Sequence, residues 1–135
     1  MPVKSQVAGA REKRQFVRVT SAVPVTYRFV SLGDAVTPED AFSGETQNLS
    51  AGGMLLKGSV PDPSLITELL MNRVVLIVNL TLPATSGPVG AMARVNWLDA
   101  VDETESRFSM GLEFNEITRE SQDRIIGFII RSMMP

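Results

Sequence analysis

Two arginines and a neighbouring lysine have the chemistry and spacing to bind an anionic ligand. Arg14 and Arg18 lie four residues apart, and Lys13 directly precedes the first of them. Residues with this spacing lie on the same side of an extended chain and of a helix, so both guanidinium groups can reach one ligand. The pattern predicts a contact to one anionic ligand, and a solvated basic segment remains the alternative.

A second group of polar and glycine residues follows about thirty positions later. Asn48 and Ser50 lie two residues apart, so at a strand end they share one face. Gly52 and Gly53 allow a ligand to approach the backbone closely. The same residue types also build Asx-type turns between strands, so a purely structural turn is the competing interpretation.

The residue types that are absent exclude most catalytic chemistry. The 135 residues include no His and no Cys, which removes imidazole acid–base catalysis, thiol nucleophiles and thiolate metal sites. The carboxylates of Asp102, Glu103 and Glu105 lie close together, but in a hydrophilic stretch typical of a solvated turn. We therefore expect a binding protein that is not an enzyme and that needs no cofactor or metal.

Charge is distributed unevenly, although the net charge is only −2. Residues 1–20 contain five cationic side chains against Glu12 alone, whereas residues 99–123 are strongly acidic. A short basic segment on an acidic body suits a small anion better than duplex DNA, which requires a larger basic surface. The five cations are Lys4, Arg11, Lys13, Arg14 and Arg18.

Hydropathy argues against membrane insertion. The beginning of the chain lacks the apolar region of a signal peptide. The most apolar run, residues 74–82, is far shorter than the ~20 residues that a membrane helix requires. A cytoplasmic location is expected.

Alternation of apolar and polar residues predicts a β-rich domain. The expected strands are residues 23–30, 45–48, 54–57, 74–82, 89–98 and 107–114. Residues 31–44 and 99–106 are expected to be loops, with one helical turn near residues 65–71. Trp97 and Phe108 are expected to pack in the interior. Helical spacing of isoleucines predicts a C-terminal helix over residues 118–133, with Thr118 as its N-cap.

The two polar motifs, in this order, resemble the signature of the PilZ domain family: Arg-x-x-x-Arg, followed by Asp/Asn-x-Ser-x-x-Gly. Residues 89–97 and 108–114 also resemble later strands of that family, and the similarity covers residues 11–132. It implies an all-β fold, a six- or seven-stranded antiparallel barrel with a C-terminal helix. The expected organisation is a flexible segment, residues 1–10, before a single domain at residues 11–135.

The resemblance also implies a function, that of a receptor for the bacterial second messenger cyclic di-GMP. The two arginines would contact guanine edges and phosphates, with the lysine assisting, and the polar turn would line the other side of the ligand. We expect the N-terminal arm to become ordered over the ligand and so to change the surface offered to a downstream effector protein. The implied ligand-binding residues are Lys13, Arg14, Arg18, Asn48, Ser50, Gly52 and Gly53.

Two other functions remain open at this point. A PilZ-like protein-interaction module without nucleotide binding would share the fold, but such members usually lack the arginines or the Ser and Gly positions. An RNA-binding barrel would lay bases on exposed aromatic side chains. Phe16 is the one aromatic residue in the basic segment. Lys13, where many relatives have arginine, leaves the number of bound ligand molecules open.

Overall fold

The computed structural model describes residues 19–20, 22–83 and 87–134. The predicted flexible segment 1–10 and the side chains of Lys13, Arg14 and Arg18 lie outside the described residues. The division into segment and domain therefore stays a prediction.

Within the described residues, six antiparallel strands form a closed barrel in the order β1–β2–β3–β6–β5–β4, and β4 pairs back to β1. The predicted barrel with a C-terminal helix is confirmed. The elements along the chain are β1 (Pro24–Ser31), β2 (Phe42–Ser50), β3 (Gly53–Ser59), α1 (Ser64–Leu70), β4 (Val74–Leu80), β5 (Val89–Asp102), a 3-10 helix (Glu103–Glu105), β6 (Arg107–Glu116) and α2 (Arg119–Met133).

The barrel interior is filled by the apolar members of the alternating strands. In β1, Val25, Tyr27 and Phe29 are buried while the residues between them face outward. Alternation predicts this arrangement because successive side chains of a strand point to opposite faces. Strand β4 is almost continuously apolar, and five of its seven residues are buried.

Tyr27 is the aromatic centre of one end of the core. Its ring stacks on Phe42, its hydroxyl donates a 2.7 Å hydrogen bond to the carbonyl oxygen of Ser59, and it is 1% exposed. Burial raises the pKa of Tyr27 to about 12, an effect that the hydrogen bond to Ser59 partly opposes. The phenol is therefore neutral in the folded protein at ordinary pH.

The prediction of a loop over residues 99–106 is wrong for residues 99–102. Strand β5 continues to Asp102, because Asp99 pairs with Ser109 and Asp102 pairs with Arg107 on strand β6. The Asp102 carboxylate then accepts hydrogen bonds from the backbone N and the hydroxyl of Thr104, which closes the turn. The other expected loop is shorter than predicted, since β2 already begins at Phe42.

Helices cover the two ends of the barrel. Strand β3 pairs with β6 from Gly53 opposite Glu113 to Ser59 opposite Arg107, so the chain enters α1 at one end and α2 at the other. Helix α1 buries two leucines, and α2 buries Ile125, Phe128 and Ile129.

Helix α2 confirms the predicted C-terminal helix. Thr118 is its N-cap and accepts a 3.1 Å hydrogen bond from the backbone N of Ser121. One half of the isoleucine pattern faces solvent, because Ile126 and Ile130 are exposed. Within the described residues, no helix is long and apolar enough to cross a membrane.

Candidate functional site

The second sequence motif forms the tight connection between β2 and β3. Ser50 ends β2 and pairs with Gly53 at the start of β3. The Ser50 hydroxyl donates to the carbonyl oxygen of Gly53 (3.2 Å) and accepts from the backbone N of Gly52 (3.3 Å). It is 5% exposed. The buried hydroxyl therefore holds the turn together.

Gly53 is required by the packing of two strands. A Cβ atom at this position would overlap the carbonyl oxygen of Leu112 on strand β6. The carbonyl oxygen of Gly52 accepts a 2.9 Å hydrogen bond from the backbone N of Phe114, again on β6. Gly53 thus has a structural reason in the strand packing, and a backbone hydrogen bond to Gly52 holds the turn against β6.

Asn48 offers a polar group on the outer surface. The β2–β3 register shifts between Thr46 and Asn48, so Gln47 is an extra residue, a β-bulge. Asn48 pairs with the outward-facing Leu55 and is half-buried. No hydrogen bond to its amide is recorded within the described part of the chain.

Val19, the first described residue after the arginine motif, is hydrogen-bonded to the strand that leads into this turn. Val19 and Leu49 exchange two backbone hydrogen bonds of 3.0 Å, and Leu49 lies between the two polar residues of the motif. Val23 then donates its backbone N–H to the Thr46 hydroxyl at 3.0 Å. Arg18 is the residue immediately before Val19, so the sequence motif leads directly into the described site.

An aromatic side chain lies on the same outer surface. Asn48 of β2, Leu55 of β3, Gly111 of β6 and Trp97 of β5 are successive cross-strand partners, and they form one row across four strands. Trp97 is 44% exposed, so the expectation of an interior position is wrong. Phe108, in contrast, is buried as predicted.

The indole of Trp97 lies over the backbone of Gly111. A Cβ atom at Gly111 would overlap the Nε1, Cδ1 and Cε2 atoms of the indole. A register shift between Val95 and Trp97 makes Asn96 an extra residue, and both Asn96 and Trp97 are exposed. This bulge is what breaks the simple alternation that the sequence suggests.

A charged cluster lies one row away, next to the glycine turn. Gly53 of β3, Glu113 of β6 and Arg94 of β5 are cross-strand partners. The guanidinium of Arg94 donates to Glu113 Oε1 at 2.9 and 3.2 Å, and the Asn96 amide donates to the same oxygen at 3.3 Å. The Arg94 hydrogen bond is the main reason why the pKa of Glu113 lies below its ordinary value.

The structure thus brings Asn48, Ser50, Gly52 and Gly53 together, and it adds Arg94 and Trp97, which sequence reasoning missed. Alternation alone places these two on opposite faces of β5. A usable signal was Gly111, a glycine inside a strand, since such residues often mark a close approach of another group. Within the described residues, no group of three or more His, Cys, Asp or Glu side chains could hold a metal ion.

The family model of the PilZ domain matches residues 12–131. The fold is also similar to that of MotI/DgrA, an inhibitor of motility from Bacillus subtilis, with 20% identity and a TM-score of 0.60. That match covers 88% of this chain but only 50% of the Bacillus chain. No curated protein sequence matches this chain.

Two isolated PilZ domains are similar over almost their whole length. The PilZ domain of CeSA from a cellulose-synthesizing bacterium is 16% identical, with a TM-score of 0.55 over 87% of this chain and 99% of that one. The PilZ domain of YcgR from Escherichia coli, solved with c-di-GMP, is 12% identical, with a TM-score of 0.53 over 90% and 91% of the two chains. With the family model covering most of the sequence and the barrel built as described, this chain belongs to the PilZ domain family.

Proposed function

We propose that this protein is a receptor for cyclic di-GMP and that the ligand lies between residues 13–18 and the turn from Asn48 to Gly53. The observation that carries the proposal is the pair of hydrogen bonds between Val19 and Leu49. They attach Val19, the residue directly after Arg18 in sequence, to the middle of the polar motif, and this supports a site that combines the two motifs.

The chemistry of the ligand fits the residues of the two motifs. Cyclic di-GMP carries two phosphates and two guanines, and Arg14 and Arg18 can pair with either group. Lys13 adds a third cation. Each good charge-assisted hydrogen bond contributes roughly 1.5–3 kcal/mol, so two arginines can supply a large part of the binding free energy.

The motif residues divide into two roles under this proposal. Asn48 supplies an amide for the sugar-phosphate or a guanine edge. Ser50 holds the turn through its hydroxyl, whose partners are Gly52 and Gly53. The turn presents glycine backbone to the ligand without a side chain in the way.

The YcgR domain, whose fold this chain shares, was solved with c-di-GMP, and this supports the ligand class. The output is an adaptor role rather than catalysis: residues 11–18 become ordered over the ligand and create a new surface for an effector protein. A cytoplasmic location belongs to the same proposal. Because this chain spans half of the Bacillus motility inhibitor, the role of that whole protein is not transferred.

Calorimetric titration with cyclic di-GMP tests the proposal, with cyclic di-AMP, GTP and a short single-stranded RNA as control ligands. We expect saturable binding of cyclic di-GMP, and Arg14→Ala or Arg18→Ala should weaken it at least tenfold. Arg28→Ala is the matched control, since Arg28 lies on the exposed face of β1 beyond the residues that pair with β2. It should bind as the wild type does.

Failure of the folded wild type to bind cyclic di-GMP would contradict the proposal. Such a result would favour the protein-interaction module. Preferential binding of RNA would favour the RNA-binding barrel, which gains some support from the exposed position of Trp97.

A further inference from the structure

We propose that the last residues of strand β5, 98–102, are a docking edge for an extended segment of a partner protein whose side chains alternate between apolar and basic. The partner segment adds one strand beside this part of the barrel wall. The inference does not involve the polar turn or the arginine motif, so it stands whether or not cyclic di-GMP binds.

Strand β5 is paired on only one side over its second half. Strand β4 pairs with β5 at residues 89–93 and no further, whereas β6 accompanies β5 up to Asp102. Within the described part of the chain, no backbone hydrogen bond joins residues 98–102 to any element other than β6. A strand with one neighbour leaves the N–H and C=O groups of alternate residues unpaired, and such a row can pair with another chain.

The docking edge is accessible as well as unpaired. Helix α1 packs against β4 and β5, but Asp99, Ala100 and Val101 remain exposed. Asp99 and Ala100 point to opposite faces of the strand, so both faces are uncovered here. Ala100 pairs with Phe108, which is buried, and its own exposure shows that β5 has left the closed part of the barrel at this point.

The two faces of the docking edge differ in chemistry. Leu98 and Ala100 pair with core residues of β6 and therefore belong to the inner, apolar face, whereas Asp99 between them lies on the outer face. Side chains that stand opposite each other on neighbouring strands share a face and interact. A segment that pairs here thus places apolar residues beside Leu98 and Ala100, and a basic residue beside Asp99.

Charge favours a basic partner over a second copy of this chain. Residues 99–106 contain four acidic residues and no basic one. Arg107 stands opposite Asp102 on β6, which lies on the other side of β5 from the docking edge. Two copies joined edge to edge would bring two acidic stretches together, and like charges on neighbouring strands destabilise pairing. A basic segment gains from the same charges.

Fluorescence anisotropy with a labelled synthetic peptide tests the proposal on the full chain, without cyclic di-GMP. The probe is a peptide of about eight residues in which lysine and valine alternate. We expect saturable binding of one peptide per chain. The same peptide with methyl groups on its central backbone nitrogens is the control, and it should bind at least tenfold more weakly because it keeps the charges but loses hydrogen-bond donors.

Charge variants then test the register of the partner side chains. Asp99→Lys should weaken peptide binding about fivefold or more, with Asp99→Asn intermediate, because the outer face then repels or no longer attracts lysine. Asp123→Lys is the matched control, since it makes the same charge change at an exposed site on α2, at the opposite end of the barrel. It should leave peptide affinity unchanged, and thermal unfolding confirms that each variant is folded.

Amide hydrogen exchange shows whether the backbone of the docking edge pairs with the peptide. Within residues 98–102, the N–H groups that point away from β6 should exchange fast in the free protein and at least tenfold more slowly with bound peptide. Slow exchange of these groups in the free protein would overturn the proposal, because the chain itself or a second copy would then cover the edge. Equal binding of the methylated peptide would also overturn it. Neither result bears on the titration with cyclic di-GMP, which tests the receptor function separately.

Discussion

At Gly53, a hydrogen in place of a methyl group lets strand β3 pack against the carbonyl oxygen of Leu112. The family motif requires glycine here, and the physical reason lies in the barrel. Ser50 behaves similarly, because its hydroxyl is used within the turn. Asn48 differs from both, since its amide faces the outer surface without a recorded partner in the described residues.

Gly53→Ala is predicted to destabilise the protein by about 2–3 kcal/mol, because strand backbones must separate to make room. Denaturant unfolding measures the change. Gly33→Ala is the control: a Cβ atom there would meet no atom within 4 Å, so its effect should stay within about 0.5 kcal/mol. A Gly53→Ala protein of normal stability that had lost ligand affinity would instead assign this glycine to the ligand.

At the scale of elements, bulges decide which side chains face outward beside the polar turn. The extra residues Gln47 in β2 and Asn96 in β5 each precede an outward-facing member of one row, Asn48 and Trp97. A bulge re-aims side chains that regular pleating would place elsewhere. The charged cluster of Arg94 and Glu113 depends on the same strand, since Asn96 bonds to Glu113.

The hydrogen bond from Tyr27 of β1 to Ser59 at the end of β3 leads to a prediction at the element scale. The folded pKa of Tyr27 is about 12 against an ordinary value of 10.0. The contribution of the neutral Tyr27 phenol to the free energy of unfolding is therefore complete below pH 10. It is lost as pH rises from 10 towards 12, by about 1.4 kcal/mol per pH unit, because the tyrosine of the unfolded chain ionises first.

Tyr27→Phe isolates this effect in urea unfolding at pH 8 to 11. At pH 8 the variant should be less stable by about 1 kcal/mol, because the Ser59 carbonyl loses its donor. Above pH 10 the gap should close, since phenylalanine does not ionise. Parallel stability curves for the two proteins across this range would contradict the prediction.

For the molecule as a whole, the proposed function couples ligand binding to the part of the chain that joins the barrel at Val19. The backbone bonds between Val19 and Leu49 place that junction beside the motif, and the Gln122 side chain of α2 donates a 3.0 Å hydrogen bond to the carbonyl oxygen of Ala51 in the same turn. The junction, the turn and the C-terminal helix therefore meet at one end of the barrel.

Amide hydrogen exchange of residues 8–20 tests whether ligand binding orders the arm. We expect at least tenfold slower exchange at saturating cyclic di-GMP. A ligand that binds the ordered arm lowers the population of the open states from which amides exchange. Strands β1 and β4, which pair on the far side of the barrel from β3 and β6, serve as internal controls and should not change. Equally fast exchange in the arm at saturation would contradict ordering.

The sequence by itself determined the barrel, its C-terminal helix and the polar turn. Alternation identified β1, β5 and β6 to within a few residues, because one face of a barrel strand must be apolar. Strand β4 was identified instead by its nearly continuous Val, Ile and Leu content. The Asn-x-Ser-x-x-Gly motif could be recognised because its glycines and its serine obey local backbone rules. These constraints act between residues that are close in sequence, so they can be recognised from the sequence alone.

Only the tertiary structure decided what lies on the outer surface beside that turn. Trp97 was expected inside, yet it lies outside on Gly111, a residue fourteen positions later that becomes its partner through strand pairing. Arg94 likewise meets Glu113, the partner of Gly53, through cross-strand register. Bulges and register are properties of paired strands. The sequence of β5 alone therefore does not show that Trp97 and Arg94 lie on the same outer face.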